Sequence, residues 1–180
     1  LRYTAHETLL RPLLDAGRRF GRVLDLGCGT GLCGRLIAPL ADAVDGVDIA
    51  PAMVAQARAS GFYRQVDQAS LLDWLRADHP PADLVVAADV FIYTGPLAPV
   101  FEAVVPRLAP GGLLAFSVEQ ADAGRDLQLR PSLRYAHGRA GVERLAAAHR
   151  LAVQALWEAP IRQDQGRPLM GWYVILRREA

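Results

Sequence analysis

The sequence feature that most constrains the fold is an apolar run that leads directly into a glycine-dense turn. Residues 23–26 predict a buried strand, and Gly27, Gly29 and Gly31 follow it closely. A helical pattern comes next, and a second apolar run then ends in Asp48. A strand, a tight turn, a helix and a second strand predict a β-α-β unit with parallel strands. Because glycine has no side chain, the backbone of this turn can approach a ligand closely.

Composition places the chain among globular domains. It has 180 residues, of which 52% are hydrophobic and 22% charged, so we expect a single domain over residues 1–180. The net charge of +1 gives no reason to expect nucleic acid or a membrane as a partner. We find neither a signal peptide nor a run that could span a bilayer, and therefore expect a cytoplasmic location. Cys28 and Cys33 are too few ligands for a zinc site, and we expect small buried residues there and no metal.

Strand-like and helical segments alternate along most of the chain. Helices are predicted over residues 5–16, 31–40, 51–60, 71–76, 96–108 and 142–149. Strands are predicted over residues 23–26, 43–48, 62–66, 83–88, 113–118, 151–158 and 169–177. Repeated β-α units indicate a Rossmann-like three-layer α/β/α sandwich with a seven-stranded, mainly parallel sheet. Only the loop 160–168 joins the final two strands, so we expect residues 169–177 to be inserted antiparallel.

The long segment 119–139 shows little regular pattern, and long loops inside compact domains are usually functional. It contains Arg125, Arg130, Arg134 and Arg139. Two interpretations stay open: a solvated loop, or a lid that meets an acidic or phosphorylated substrate.

The glycine turn fits two kinds of nucleoside-containing cofactor. Residues 29–34 match the dinucleotide pattern G-x-G-x-x-G, and Asp48 follows at a spacing suited to a ribose. However, Asp25 precedes the turn, where a carboxylate would repel a pyrophosphate. S-adenosylmethionine has no phosphate and carries an ammonium group that suits an acidic environment. The pattern also begins two residues after Gly27, and antiparallel strands at the chain end are unexpected in a simple dinucleotide domain.

Four sequence blocks, taken in order, resemble class I S-adenosylmethionine-dependent methyltransferases, and the resemblance covers nearly the whole chain. These blocks are residues 23–31, 46–53, 83–89 and 108–112. Residues 116–119 and 131–137 are similar to a bacterial group whose methyltransferase domain often follows tetratricopeptide repeats. That second resemblance implies that an N-terminal repeat domain can precede Leu1 in a longer protein.

The resemblance also implies roles for individual residues. Gly27 and Gly29 would admit the methionine part and the ribose, Asp25 would lie near the ammonium, and Asp48 would bind both ribose hydroxyls. Either Asp67 or Gln68 would contact the adenine amino group. The complete set implied for S-adenosylmethionine, and for its product S-adenosylhomocysteine, is Tyr3, Asp25, Gly27, Cys28, Gly29, Gly31, Asp48, Ile49, Met53, Asp67, Gln68, Ala69, Ala88 and Asp89.

Methyl transfer is an in-line displacement at a sulfonium carbon, so the protein mainly aligns the nucleophile and excludes water. A general base is needed only if the acceptor must lose a proton. The candidates are Asp89, Tyr93, Tyr135 and His137. The acceptor stays open between a small metabolite, a protein side chain and a lipid-like molecule. A nicotinamide-dependent oxidoreductase and a non-catalytic S-adenosylmethionine-binding module are the alternative functions.

Overall fold

The computed structural model of the protein describes residues 4–164 and 166–179. Its strands are β1 Phe20–Leu26, β2 Ala41–Asp48, β3 Gln65–Gln68, β4 Ala82–Ala87, β5 Leu108–Gln120, β6 Leu127–Leu129, β7 Tyr135–His137, β8 Leu151–Asp164 and β9 Arg167–Arg178. Its α-helices are α1 Ala5–Asp15, α2 Leu32–Ile37, α3 Pro51–Ser60, α4 Leu71–Arg76, α5 Ala98–Val104 and α6 Arg139–Ala148. Short 3-10 turns cover Ala38–Leu40, Phe91–Tyr93 and Val105–Arg107.

One mixed sheet organises the described residues. Strands β3, β2, β1, β4 and β5 lie side by side and parallel. Strand β9 pairs antiparallel with β5, from Leu113 opposite Arg177 to Glu119 opposite Gly171, and β8 pairs antiparallel with β9. The structure therefore confirms the Rossmann-like fold and the antiparallel insertion of the final strand, but the sheet has nine strands among the described residues instead of the predicted seven, because β6 and β7 also join it beside β5.

The seven predicted strands are all present with shifted ends, and two of these differences affect the site. The third strand begins at Gln65 instead of residue 62, because α3 ends at Ser60 and residues 61–64 form the connection. Strand β8 continues through Pro160 to Asp164, a stretch predicted as loop. Proline is tolerated there because β8 lies at the edge of the sheet, and the pairing register shifts between Pro160 and Arg162.

The segment 119–139 is more ordered than its sequence pattern indicates. Strands β6 and β7 form a small antiparallel hairpin, and β7 pairs with the last residues of β5, Glu119 and Gln120. Each of the two strands has only three residues, which is too short for an alternating apolar pattern to show. The fold thus places this hairpin beside the carboxyl end of β5.

Apolar side chains cover both faces of the sheet. One cluster packs α4, α5 and α6 against it, with the Phe101 and Phe116 rings edge to face at 5.9 Å. The other packs α1 and α2 against the opposite face, through residues such as Leu9 and Leu10. Burying each such side chain contributes roughly 1.5–3 kcal/mol. None of the helices among the described residues combines the length and hydropathy of a bilayer-spanning segment.

Candidate functional site

The glycine turn after β1 requires glycine for conformational reasons and, at one position, for steric reasons. Gly27, Gly29 and Gly31 have φ values of +60°, +54° and +96°, a region that other residues rarely adopt. A Cβ atom on Gly27 would lie 2.6 Å from Cγ2 of Val90, whereas one on Gly29 would project into open space. The turn is therefore packed on one side, and Gly29 leaves room for a ligand on the other.

Asp48, the last residue of β2, holds this turn in place. Its Oδ2 accepts a hydrogen bond from the backbone N–H of Gly29 at 2.9 Å, and its Oδ1 accepts one from Ala50 at 2.9 Å. A carboxylate offers about four acceptor positions, so both oxygens can still bind ligand hydroxyls. Asp48 thus fixes the turn and remains competent to bind a ribose.

Asp25 lies behind the turn and is only 1% exposed. The Tyr63 hydroxyl donates a hydrogen bond to its Oδ2 at 2.6 Å. Burial raises the pKa of Asp25 to about 7, although the bond from Tyr63 opposes that rise. Tyr63 also accepts a hydrogen bond from the N–H of Gly34 at 3.2 Å. Sequence reasoning missed Tyr63, because its partners lie far away in the chain.

Both cysteines are buried, as predicted. Cys28 packs with Val54, Ala57 and Val66, and Cys33 packs into the cluster beneath α1. Burial raises the pKa of each thiol above its ordinary value, and the neighbouring Asp25 raises it further. Cys28 and Cys33 are therefore neutral packing residues near neutral pH.

A pocket of about 500 Å³ opens at the carboxyl ends of β1, β2 and β4. Its lining residues are Gly27, Val47, Asp48, Ile49, Ala69, Ser70, Leu71, Leu72, Ala88, Asp89, Val90, Tyr93 and Thr94. Seven of the residues predicted from the sequence meet here: Gly27, Asp48, Ile49, Ala69, Ala88, Asp89 and Tyr93. A mostly apolar cleft with a few convergent polar groups is typical of a small-ligand site.

The residues proposed to contact adenine do not line this pocket. Trp74 Nε1 donates a hydrogen bond to the Asp67 carboxylate at 2.8 Å, and Gln68 is exposed. Ala69 and Ser70, which follow β3, line the pocket at this position instead. The reason is that β3 ends at Gln68 instead of residue 66, which puts both predicted residues inside the strand. Met53 is half-buried on α3 and also lies outside the lining.

Asp89 occupies the pocket wall after β4 in a left-handed conformation, with φ of +58°. Its N–H donates to Oγ of Ser117 at 2.8 Å, and Arg162 Nη1 lies 3.5 Å from its Oδ1. The other amino group of Arg162 forms an ion pair with Glu119, which is 1% exposed. Burial raises the pKa of Asp89 to about 6, and Arg162 and Arg134 oppose this shift. Sequence reasoning missed Arg162 and Glu119.

The other catalytic candidates separate into two groups. Tyr93 lies at the pocket rim and is 64% exposed. Tyr135 instead packs near Gly95, and the buried His137 ring has its Nε2 2.9 Å from the Gly95 carbonyl oxygen. Burial lowers the pKa of His137. The structure therefore does not bring Tyr135 or His137 to the pocket lining, and Tyr3 lies outside the described residues.

A comparison with known protein families shows which family this chain belongs to. A family model described as a methyltransferase domain matches residues 24–114, which are 91 of the 180 residues. The chain belongs to this methyltransferase family. The matched region runs from β1 into β5 and includes the glycine turn, Asp48 and Asp89.

Curated relatives resemble the chain over much of its length. The trans-aconitate 2-methyltransferase of Pseudomonas aeruginosa is 29% identical over 177 residues, covering 84% of this chain and 63% of the relative. The malonyl-[acyl-carrier protein] O-methyltransferase of Enterobacter lignolyticus is 31% identical over 135 residues, covering 70% of this chain and 52% of the relative. The chain thus spans less than two thirds of the length of these relatives.

Solved structures share the fold. The 1,6-didemethyltoxoflavin-N1-methyltransferase of Burkholderia thailandensis was solved with 1,6-didemethyltoxoflavin and S-adenosylhomocysteine. It superposes with a TM-score of 0.76 at 18% identity and covers 98% of this chain and 77% of that chain. At this identity the likeness establishes the architecture alone.

Proposed function

We propose that the protein is an S-adenosylmethionine-dependent methyltransferase. One observation carries the proposal: the charged side chains that line the pocket are the carboxylates Asp48 and Asp89. S-adenosylmethionine carries a sulfonium and an ammonium, which an acidic pocket attracts. A dinucleotide would bring a pyrophosphate, which Asp89 would repel, whereas Asp48 suits the ribose of either cofactor.

The structure changes the reasoning about Asp25. The sequence argument used its charge to exclude a pyrophosphate, but burial raises its pKa to about 7, so it is partly neutral near physiological pH. A nicotinamide cofactor is therefore disfavoured by Asp89 at the pocket surface, because the carboxylate of Asp48 suits the ribose of either cofactor. Family membership supports the same choice.

The residues present fit S-adenosylmethionine. The open side of Gly29 leaves space for the methionine part and ribose, and Asp48 retains acceptor positions for ribose hydroxyls. Ala69 and Leu71 form an apolar wall for the adenine. When bound, the cofactor supplies an activated methyl group. Asp89 can then take a proton from an acceptor that must lose one, while Arg162 holds its carboxylate in place.

The proposed acceptor is a small molecule. The relatives named for trans-aconitate and for malonyl-[acyl-carrier protein] support a low-molecular-weight acid or a carrier-borne one. We propose in addition a cytoplasmic bacterial protein, with a repeat domain before this chain in its longer form.

Titration calorimetry tests the cofactor. We expect S-adenosylhomocysteine to bind in the micromolar range and NAD not to bind. Asp48→Ala should weaken the binding of S-adenosylhomocysteine by roughly 1–3 kcal/mol, because charge-assisted hydrogen bonds are lost. Asp42→Ala is the matched control, since Asp42 lies exposed at the opposite end of β2. Binding of NAD alone would refute the proposal, and equal affinities for the two variants would remove Asp48 from the site.

A further inference from the structure

We propose that Arg134 is the acceptor-recognition residue and that the methyl acceptor carries an oxyanion, a carboxylate or a phosphate, which this guanidinium binds. The inference rests on the proposed methyltransferase function and concerns the acceptor side of the same pocket. The structure separates Arg134 from Arg130 and Arg139 by what each of them contacts, and from Arg125 by position, because Arg125 lines a different cleft.

Two of those arginines are used within the fold. Arg130 donates from Nη1 to Asp122 at 2.9 Å and from Nη2 to the Gln120 carbonyl at 2.7 Å. Arg139 donates from Nε to Glu143 at 2.9 Å, four residues further along α6. Their charges are therefore compensated locally and stabilise the hairpin and the start of α6.

Arg134 is placed differently. Its guanidinium lies 5.9 Å from the centre of the Tyr93 ring, and Tyr93 forms the rim of the pocket. Within residues 4–164 and 166–179, no carboxylate lies within ion-pair distance of Arg134 and its guanidinium donates no hydrogen bond. A cation with all five donors free beside a ligand pocket is suited to bind an oxyanion in a bidentate manner.

The backbone around Arg134 is built to present this side chain. The Arg130 N–H donates to the Arg134 carbonyl at 2.8 Å, and the Leu133 N–H donates to the Arg130 carbonyl at 2.9 Å. Leu133 takes a left-handed conformation with φ of +60° to close this turn. The turn therefore holds Arg134 next to Tyr93, where the aromatic face favours a cation.

Charge balance at the pocket supports the same assignment. Asp48 and Asp89 face the pocket, and the guanidinium of Arg162 already contacts both Asp89 and Glu119. Arg134 is close enough to lower the pKa of Asp89. Among the described residues, the charged ones that line the pocket are carboxylates, so the charge of Arg134 beside it is the feature that admits an anionic acceptor.

The test uses the intact chain saturated with S-adenosylhomocysteine, with calorimetric titration of matched probes. The probes are succinate and citrate, inorganic phosphate, and the neutral succinamide. We expect the anionic probes to bind more tightly than succinamide. The affinity for phosphate compared with that for succinate and citrate shows which oxyanion the site prefers. Arg134→Gln should weaken this binding roughly 10- to 100-fold, in proportion to a charge-assisted hydrogen bond.

Arg125→Gln is the matched control, because Arg125 lies in the same segment, is exposed and lines a different cleft. Its acid binding should equal that of the wild type, and neither variant should change the affinity for S-adenosylhomocysteine. Three results would overturn the assignment: equal binding of acids by both variants, preference for the neutral probe, or no acid binding to the loaded protein. Failure to bind S-adenosylhomocysteine would instead refute the methyltransferase proposal, so the two failures are distinguishable.

Discussion

Substitution of Gly27 by alanine tests whether the glycine turn is fixed by packing as well as by backbone conformation. Its φ of +60° costs a residue with a Cβ atom about 1–2 kcal/mol. The new methyl group would also lie 2.6 Å and 2.9 Å from the two γ-carbons of Val90. Overpacking of this kind costs about 1–3 kcal/mol. We therefore expect the free energy of unfolding to fall by about 2–5 kcal/mol.

Gly29→Ala separates the two contributions. Gly29 has nearly the same φ, +54°, but an added Cβ would meet no described atom within 4 Å. Its unfolding free energy should fall by only about 1–2 kcal/mol, whereas its affinity for S-adenosylhomocysteine should fall because the methyl group enters the ligand space. Val90→Ala combined with Gly27→Ala should recover part of the steric loss, because both clashing γ-carbons are removed.

Chemical denaturation of the four proteins, with calorimetry for the ligand, provides the measurement. For a chain of this size each kcal/mol corresponds to a shift in Tm of roughly 2–4 °C, so thermal unfolding gives an independent reading. If Gly27→Ala and Gly29→Ala lost the same stability, the contact with Val90 would carry no energy and the reasoning would be wrong.

Three further predictions concern buried carboxylates. Arg162→Met should lower the unfolding free energy by about 3–5 kcal/mol, because Glu119 is left buried without its partner, and adding Glu119→Gln should recover part of that loss in denaturant titrations. The raised pKa of Asp25 means that the folded state keeps a proton that the unfolded chain releases, so stability should fall as pH rises from about 4 to about 7. Asp25→Asn should flatten this decline, and a decline of unchanged slope in that variant would contradict the assignment. Tyr63→Phe should move the pKa of Asp25 further upward in an NMR titration, because the hydrogen bond from Tyr63 favours the ionised form.

The parts of the fold that sequence predicted are those encoded locally. Apolar runs located six of the seven predicted strands closely, and the glycines identified the turn, because both depend on neighbouring residues only. The third strand was displaced because Tyr63 contacts Asp25 and Gly34, which no local pattern shows. Its apolar ring was interpreted as part of a strand, although it packs beneath the turn.

The candidate site was predicted in part for the same reason. Gly27, Asp48 and Asp89 follow strand ends, and the carboxyl ends of parallel strands meet at one edge of a sheet. Arg162 was missed because prolines made residues 160–168 look like a loop, whereas an edge strand tolerates Pro160. His137 was proposed as catalytic because sequence does not distinguish a buried, hydrogen-bonded ring from one that faces a ligand.

The insertion of β9 between β5 and β8 has a consequence for synthesis on the ribosome. Residues 113–119 of β5 pair with residues 171–177, which are translated much later. Until β9 emerges, β5 presents an unpaired, largely apolar edge, the kind of surface that chaperones bind and that promotes aggregation. The half of the sheet formed by β1 to β4 can pair earlier, so completion of the domain awaits this long-range pairing, a slow kind of contact to form.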